Sequence, residues 1–194
     1  MTTMNEGQDT VTLSPLFGEG GVLQSGAPLR IWGTGRPCSQ VRITIADRSA
    51  DAVVGDDGAW VVQLGPLEPG GPYRLEVRVD GGDEPVIAHD VYAGEVFICA
   101  GQSNMEYQME FLRWRYPSEY TREPDPLLRH CKVPVRFDFH GPRRDFDEPV
   151  RWVGAAADTL DEFTGVGYFF GRMVRAWLGV PVGLLNITLG GSPI

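Results

Sequence analysis

The chain has 194 residues and a mass of 21.4 kDa, and its 42% hydrophobic and 22% charged content sets aside disordered, coiled-coil and collagen-like architectures. A formal net charge of -9 opposes binding to polyanions, and no run approaches the roughly 18 apolar residues that span a bilayer, so no nucleic-acid or membrane partner is expected. The polar residues 1–10 show neither the basic nor the apolar region of a secretory signal, which leaves a cytoplasmic protein and a signal-stripped one both open. Cys38, Cys99 and Cys131 are odd in number and far apart; this fits neither a disulfide framework nor zinc-ligand spacing, and ordinary reduced thiols are expected.

Residues 11–92 read as short alternating runs separated by turns. Leu29-Arg30-Ile31-Trp32-Gly33, Val41-Arg42-Ile43-Thr44-Ile45, Trp60-Val61-Val62-Gln63-Leu64 and the segment Tyr73 to Val79 have a period of two. Arg42, Thr44, Arg74, Glu76 and Arg78 alternate with apolar residues, the pattern of an antiparallel sheet with one solvated face. Asp56-Asp57-Gly58 and Pro69-Gly70-Gly71-Pro72 supply turns, and the spacing predicts a β-sandwich.

Residues 93–194 have a different texture. Val96-Phe97-Ile98-Cys99-Ala100 is a continuous apolar run, as in a strand buried on both faces of a parallel sheet. Between residues 111 and 161 proline and charge dominate, with strands suggested only over 133–139 and 150–153. A helix is predicted over 166–178, with Val166, Phe169, Phe170, Met173, Val174, Trp177 and Leu178 on its apolar face, Gly179 ending it and Pro181 just beyond. Val182-Gly183-Leu184-Leu185-Asn186-Ile187 follows as a second apolar strand. Strand, helix and strand make a β-α-β progression whose loops, at the C-terminal strand ends, are where ligands bind in open α/β sheets.

Ser103 leaves the first of these strands inside Gly101-Gln102-Ser103-Asn104-Met105. A serine hydroxyl is a weak nucleophile that needs a tight exposed turn, a base and hydrogen-bond donors for the developing oxyanion. Gly101 permits the turn, and a helix starting near Asn104 would aim N–H groups at negative charge. The plainer reading of Ser103 is a helix cap. Gln102, Asn104 and Glu106 are candidate substrate contacts, with a polar helix face as the plainer alternative. Asn186-Ile187-Thr188 matches a glycosylation sequon but falls in a strand expected to be buried. Trp32 and Trp60 could stack on sugar, though tryptophan within a strand is more often core.

The block Glu95 to Glu106 resembles the nucleophile block of the sialate O-acetylesterase family, a branch of the SGNH hydrolases. Phe163-Thr164-Gly165-Val166-Gly167-Tyr168-Phe169-Phe170-Gly171-Arg172, with Gly190-Gly191-Ser192-Pro193-Ile194, resembles its second block, and Val22-Leu23-Gln24 and Gly58-Ala59-Trp60 resemble the domain before catalysis. The resemblance implies an α/β fold with an all-β domain: a jelly-roll-like sandwich over 11–92, then the first part of a flavodoxin-like SGNH domain over 93–194. It implies removal of acetyl groups from sugar hydroxyls through an acyl-serine, with no metal and no organic cofactor. Ser103 would be the nucleophile; Gly191, or Gly190 as second choice, would lend a backbone N–H to the oxyanion. The family's Asp-x-x-His block has no counterpart here: residues three before His89, His130 and His140 are Val86, Leu127 and Phe137, and Asp138 precedes His140 by only two. Because the chain stops at Ile194, just past the second block, a C-terminal segment or second chain is expected to complete the catalytic domain. The alternative is a non-catalytic glycan-binding or protein-interaction module with a vestigial hydrolase domain.

Overall fold

The computed structural model describes residues 11–82, 84–146 and 148–191; the expectations for residues 1–10 and for Ser192, Pro193 and Ile194 lie outside them. Strands β1 (Thr12–Leu13), β2 (Val22–Gln24), β3 (Leu29–Thr34), β4 (Gln40–Ile45), β5 (Arg48–Val53), β6 (Ala59–Leu64) and β7 (Gly70–Val79) lead into β8 (Val86–Cys99), a strand of 14 residues. A small antiparallel sheet has the order β1-β3-β6. In the larger sheet β5, β4, β7 and β8 are neighbours, all antiparallel. Both sheets bury their alternate apolar residues in one core: Ile31, Trp60 and Val62 meet Val41, Ile43, Leu75, Val77 and Val91 there. The period-two pattern is thus read out as one packed face per sheet. Glu76 lies on the outer face yet is only 7% exposed, because Arg74 and Arg78 both pair with it and cover it. Trp60 is buried, and Trp32 packs edge-on against Phe17 at 4.5 Å, so both side chains serve the core.

Beyond residue 93 β8 changes company. Its last part, Glu95 to Cys99, pairs in parallel with β11 (Val182–Asn186), which pairs in parallel with β9 (Asp125–Lys132); β10 (Trp152–Ala155) closes that side antiparallel to β9. The position between residues 92 and 93 therefore falls inside a continuous strand. The sequence pattern missed β9, because Pro124, Asp125, Pro126, Arg129 and Lys132 disguise a strand of which residues 128–131 are buried. The suggested strand at 133–139 lies in irregular chain just after it, and 150–153 overlaps β10 by its second half.

Two single-turn helices, α1 (Ser103–Glu106) and α2 (Met109–Leu112), follow β8, and the long helix α3 (Gly165–Leu178) precedes β11. Gly179 caps α3 with φ of 71°, the left-handed conformation that favours glycine. Of the expected apolar stripe of α3, Phe169 and Val174 pack against the core and the rest is exposed. Gly165, Gly167, Tyr168 and Gly171 are buried, whereas Met173 and Trp177 are 71% and 84% exposed. Close approach explains the choice: a Cβ on Gly167 would lie 3.0 Å from the Cys99 sulfur, so the backbone sits where only glycine fits.

Candidate active site

The C-terminal ends of β8, β11 and β9 converge on Ser103. Gly101, at φ of 150°, turns the chain out of the sheet in a conformation that favours glycine. Gln102 is the N-cap of α1 and Ser103 its first residue, so Ser103 is not the cap. Its side chain is left exposed on a tight turn. With one turn only, α1 lacks the aligned peptides that would make a helix-terminal anion site. The turn is instead braced from below: Thr164 Oγ1 donates to the Met105 carbonyl, Gly165 N–H to the Tyr107 carbonyl at 2.8 Å, and Met109 N–H to the Phe163 carbonyl at 2.9 Å.

The chain after β11 runs alongside the chain after β8. Ile187 N–H donates to the Cys99 carbonyl at 3.0 Å and Leu189 N–H to the Gly101 carbonyl at 3.2 Å. This brings Gly190 to Ser103: a Cβ built on Gly190 would stand 3.8 Å from the Ser103 Cα. The Gly190 N–H is already used, since it donates to Glu106 Oε2 at 2.7 Å. Gly191, at φ of 74°, is exposed, and a Cβ there would meet open space. Of the two glycine candidates, Gly191 is the one whose N–H carries no such carboxylate.

Lys132 extends the arrangement. Its Nζ donates to the Thr188 carbonyl at 3.2 Å and to Thr188 Oγ1 at 3.1 Å, and stands 3.8 Å from Glu106 Oε1. Thr188 donates through N–H and hydroxyl to Asn186 Oδ1, at 3.0 Å and 2.6 Å. Asn186 is fully buried, so this sequon serves a turn that aligns the loop. Glu106, expected as a substrate contact, holds Gly190 and Lys132 in place. Gln102 and Asn104 stand on the same turn.

Ser103, Glu106, Tyr107, Gln108, Phe111 and Lys132 line an open cleft of about 310 Å³. The rings of Tyr107 and Phe111 lie 5.2 Å apart and are about half exposed. Sequence reasoning missed Lys132 with its strand, and Tyr107 and Phe111 because the single-turn helices α1 and α2 are too short to show a period. None of the three histidines lines this cleft. His130 is buried at 1% exposure and stacks on Phe163 at 4.8 Å; burial, with the Lys132 charge nearby, pushes its pKa down to about 4. His140 is exposed and faces Asp138, which Arg143 also holds, beside a different cavity that Trp32 lines. Cys99 and Cys131 are buried and Cys38 exposed, all as free thiols; burial pushes the Cys131 thiol up to about 12. Among the described residues there is no cluster of potential metal ligands. No helix among them is long and apolar enough to cross a membrane.

No protein-family model matches the chain. The sialate O-acetylesterases of Pongo abelii and Homo sapiens are 29% and 28% identical to it, each over 84% of this chain and 34% of its own length. A crystal structure of a carbohydrate acetylesterase from Xanthomonas citri superimposes with a TM-score of 0.87 at 34% identity, over 95% of this chain and 41% of that one. Over most of its length the chain is thus similar to sialate O-acetylesterases and to a carbohydrate acetylesterase. It spans about a third of the length of the curated relatives that it matches. The exposed serine turn and the glycine loop lie at the C-terminal strand ends, where open α/β sheets bind ligands.

Proposed function

We propose that this chain carries the nucleophile portion of a carbohydrate O-acetylesterase, hydrolysing acetyl esters of sugar hydroxyls through an acyl-serine. The observation that carries this reading is the placement of Ser103, exposed on a glycine turn and backed by the Gly190 loop. Ser103 Oγ attacks the acetyl carbonyl carbon while a base accepts its proton. Collapse expels the sugar hydroxyl, which takes that proton, and water then releases acetate from the acyl-serine. The Ser103 N–H and the Gly191 N–H are the proposed oxyanion donors, with Gly190 available only if Glu106 withdraws. In this reading residues 11–92 form a supporting β-sandwich and residues 93–194 the first part of an SGNH-type α/β domain, with the acetylated sugar as partner.

The cleft supplies no histidine, and loss of the base from a serine triad costs on the order of 10⁴ to 10⁶ in rate. The base is therefore assigned to polypeptide that completes the domain. The half-exposed Tyr107 and Phe111 favour a second reading, a glycan-binding module without catalysis. Hydrolysis of 4-nitrophenyl acetate separates the two. The chain alone is expected near the background rate, and the chain completed by the rest of a family member is expected to turn over. Ser103→Ala should abolish that turnover. A completed enzyme without turnover, or with turnover indifferent to Ser103→Ala, sinks the esterase reading.

A further inference from the structure

The outer face of the small sheet carries apolar side chains where a solvated face would be polar. Arg30, Trp32 and Thr34 alternate outward along β3, and Trp32 stands opposite Val61 of β6, which is 47% exposed. Trp32 packs on Phe17 but stays partly exposed. Its Nε1 is buried and finds no acceptor among the described residues, a cost that a purely structural tryptophan normally avoids. The chain after β9 lies against this face: Asp145 Oδ1 accepts from Ser14 Oγ at 2.7 Å, and Arg144 pairs with Asp57. Between them is a cavity of about 420 Å³, within the range of about 300–1,000 Å³ typical of small-molecule sites. Trp32, Val133 and Phe146 form its apolar part, and three arginines and three carboxylates from residues 136–148 form most of the rest. A groove of about 870 Å³ along β5 and β6 shares Trp32, Arg144 and Asp145 with it.

The charges of this cavity are matched to one another. Arg143 donates to Asp138 Oδ2 at 2.8 Å, Arg136 Nη1 stands 3.8 Å from Glu148 Oε1, and Arg144 holds Asp57. With arginines and carboxylates equal in number along the lining, neither an anion nor a cation is favoured. A wholly apolar ligand would desolvate those charged groups without replacing their hydrogen bonds. A neutral ligand dense in hydroxyls fits better. Each hydroxyl can donate to a carboxylate and accept from a guanidinium, while C–H groups of a sugar ring lie on an indole. The cavity shares no lining residue with the Ser103 cleft, yet Val133 follows directly on Lys132, which lines that cleft.

We propose that the cavity between Trp32 and residues 133–148 is a non-catalytic binding site for a neutral saccharide, separate from the Ser103 cleft. This goes beyond the esterase reading, because binding here needs neither Ser103 nor a base. The test is isothermal titration of the full chain, carrying Ser103→Ala, with cellohexaose, xylohexaose and mannohexaose in turn. Saturable binding of at least one of them, at one site per chain, is expected. Trp32→Ala and Arg143→Ala should each weaken it about tenfold or more, through loss of the indole face and of a hydroxyl donor. Trp114→Ala, at a residue 76% exposed and outside the cavity, should leave the affinity within about twofold. The Arg143 side chain is 42% exposed, so Arg143→Ala should keep the parent's Tm, and it decides the matter if Trp32→Ala does not fold. Failure of all three sugars to bind overturns the proposal, as does binding that Arg143→Ala leaves unchanged. Binding lost instead through Tyr107→Ala or Phe111→Ala would put the sugar in the Ser103 cleft and overturn it as well. N-acetylneuraminic acid and inorganic phosphate should not compete; competition by either would replace the neutral sugar with an anion. A completed enzyme without turnover would sink the esterase reading and leave this site standing.

Discussion

His130 is the clearest case of a side chain whose environment decides its chemistry. It is 1% exposed against Phe163, and its Nε2 has no hydrogen-bond partner. Burial lowers its pKa from 6.5 to about 4, so the native state keeps it neutral where an unfolded chain takes up a proton. Above pH 6.5 it therefore adds no pH dependence, and as pH falls from 6.5 toward 4 it progressively favours unfolding. His130→Leu removes that penalty. At pH 7 the variant should unfold in urea within about 1 kcal/mol of the parent, because no bonded partner is lost. By roughly pH 5 it should have gained about 2 kcal/mol on the parent. Parallel stability curves across that window would mean that His130 is solvated. Glu106 makes the complementary point: its position in the motif suggested substrate contact, and in the fold it lines the cleft while accepting from the Gly190 N–H. The exposed turn at Ser103 was legible because glycine turn, apolar strand and serine are contiguous.

At the scale of elements, α3 shows where periodicity stops informing. Its span and its Gly179 end follow from the apolar spacing and the C-cap, and the helix occupies Gly165–Leu178. Which face packs does not follow, since three glycines on one side let the backbone approach the sheet more closely than a stripe of large side chains would. Gly167→Ala tests this. Alanine gains about 1 kcal/mol in helix propensity. Yet its Cβ would lie 2.7 Å from Thr164 Cγ2 and 3.0 Å from the Cys99 sulfur. Thr164 cannot yield freely, being bonded to the Met105 carbonyl, and overpacking of this kind costs about 1–3 kcal/mol. Net destabilisation, seen as a lower Tm, is the expected outcome; an unchanged or higher Tm would mean that the helix can lift off the sheet without loss.

Across the whole molecule the two halves share β8 and a set of buried ties. Arg129, 7% exposed, donates to the Gly20 carbonyl at 3.0 Å and to Asp90 at 2.5 Å, and its guanidinium lies 4.8 Å from the centre of the Tyr92 ring. Trp152 Nε1 donates to the Leu16 carbonyl at 3.0 Å. These contacts fasten residues 16–24 of the first half across the parallel strands of the second. Unfolding should therefore be a single transition, with far-UV circular dichroism and tryptophan fluorescence coincident in urea. Arg129→Leu should strip the tie while leaving Asp90 half solvated, lowering stability by about 1–3 kcal/mol. Two resolved transitions in the parent would show that β8 does not couple the halves.

The sequence by itself determined the alternating strands of the first half, the apolar strand into Gly101, the limits of α3 and the order of the blocks around Ser103. Each of these is a local backbone preference written in neighbouring residues. Tertiary structure alone decided that the loop after β11 lies against the one after β8, that Glu106 takes the Gly190 N–H, that glycines rather than Trp177 face the sheet, and that the chain after β9 lies against the outer face of β3. Those outcomes depend on contacts between residues far apart in the chain, where close packing and hydrogen-bond satisfaction outweigh the periodicity of any one segment.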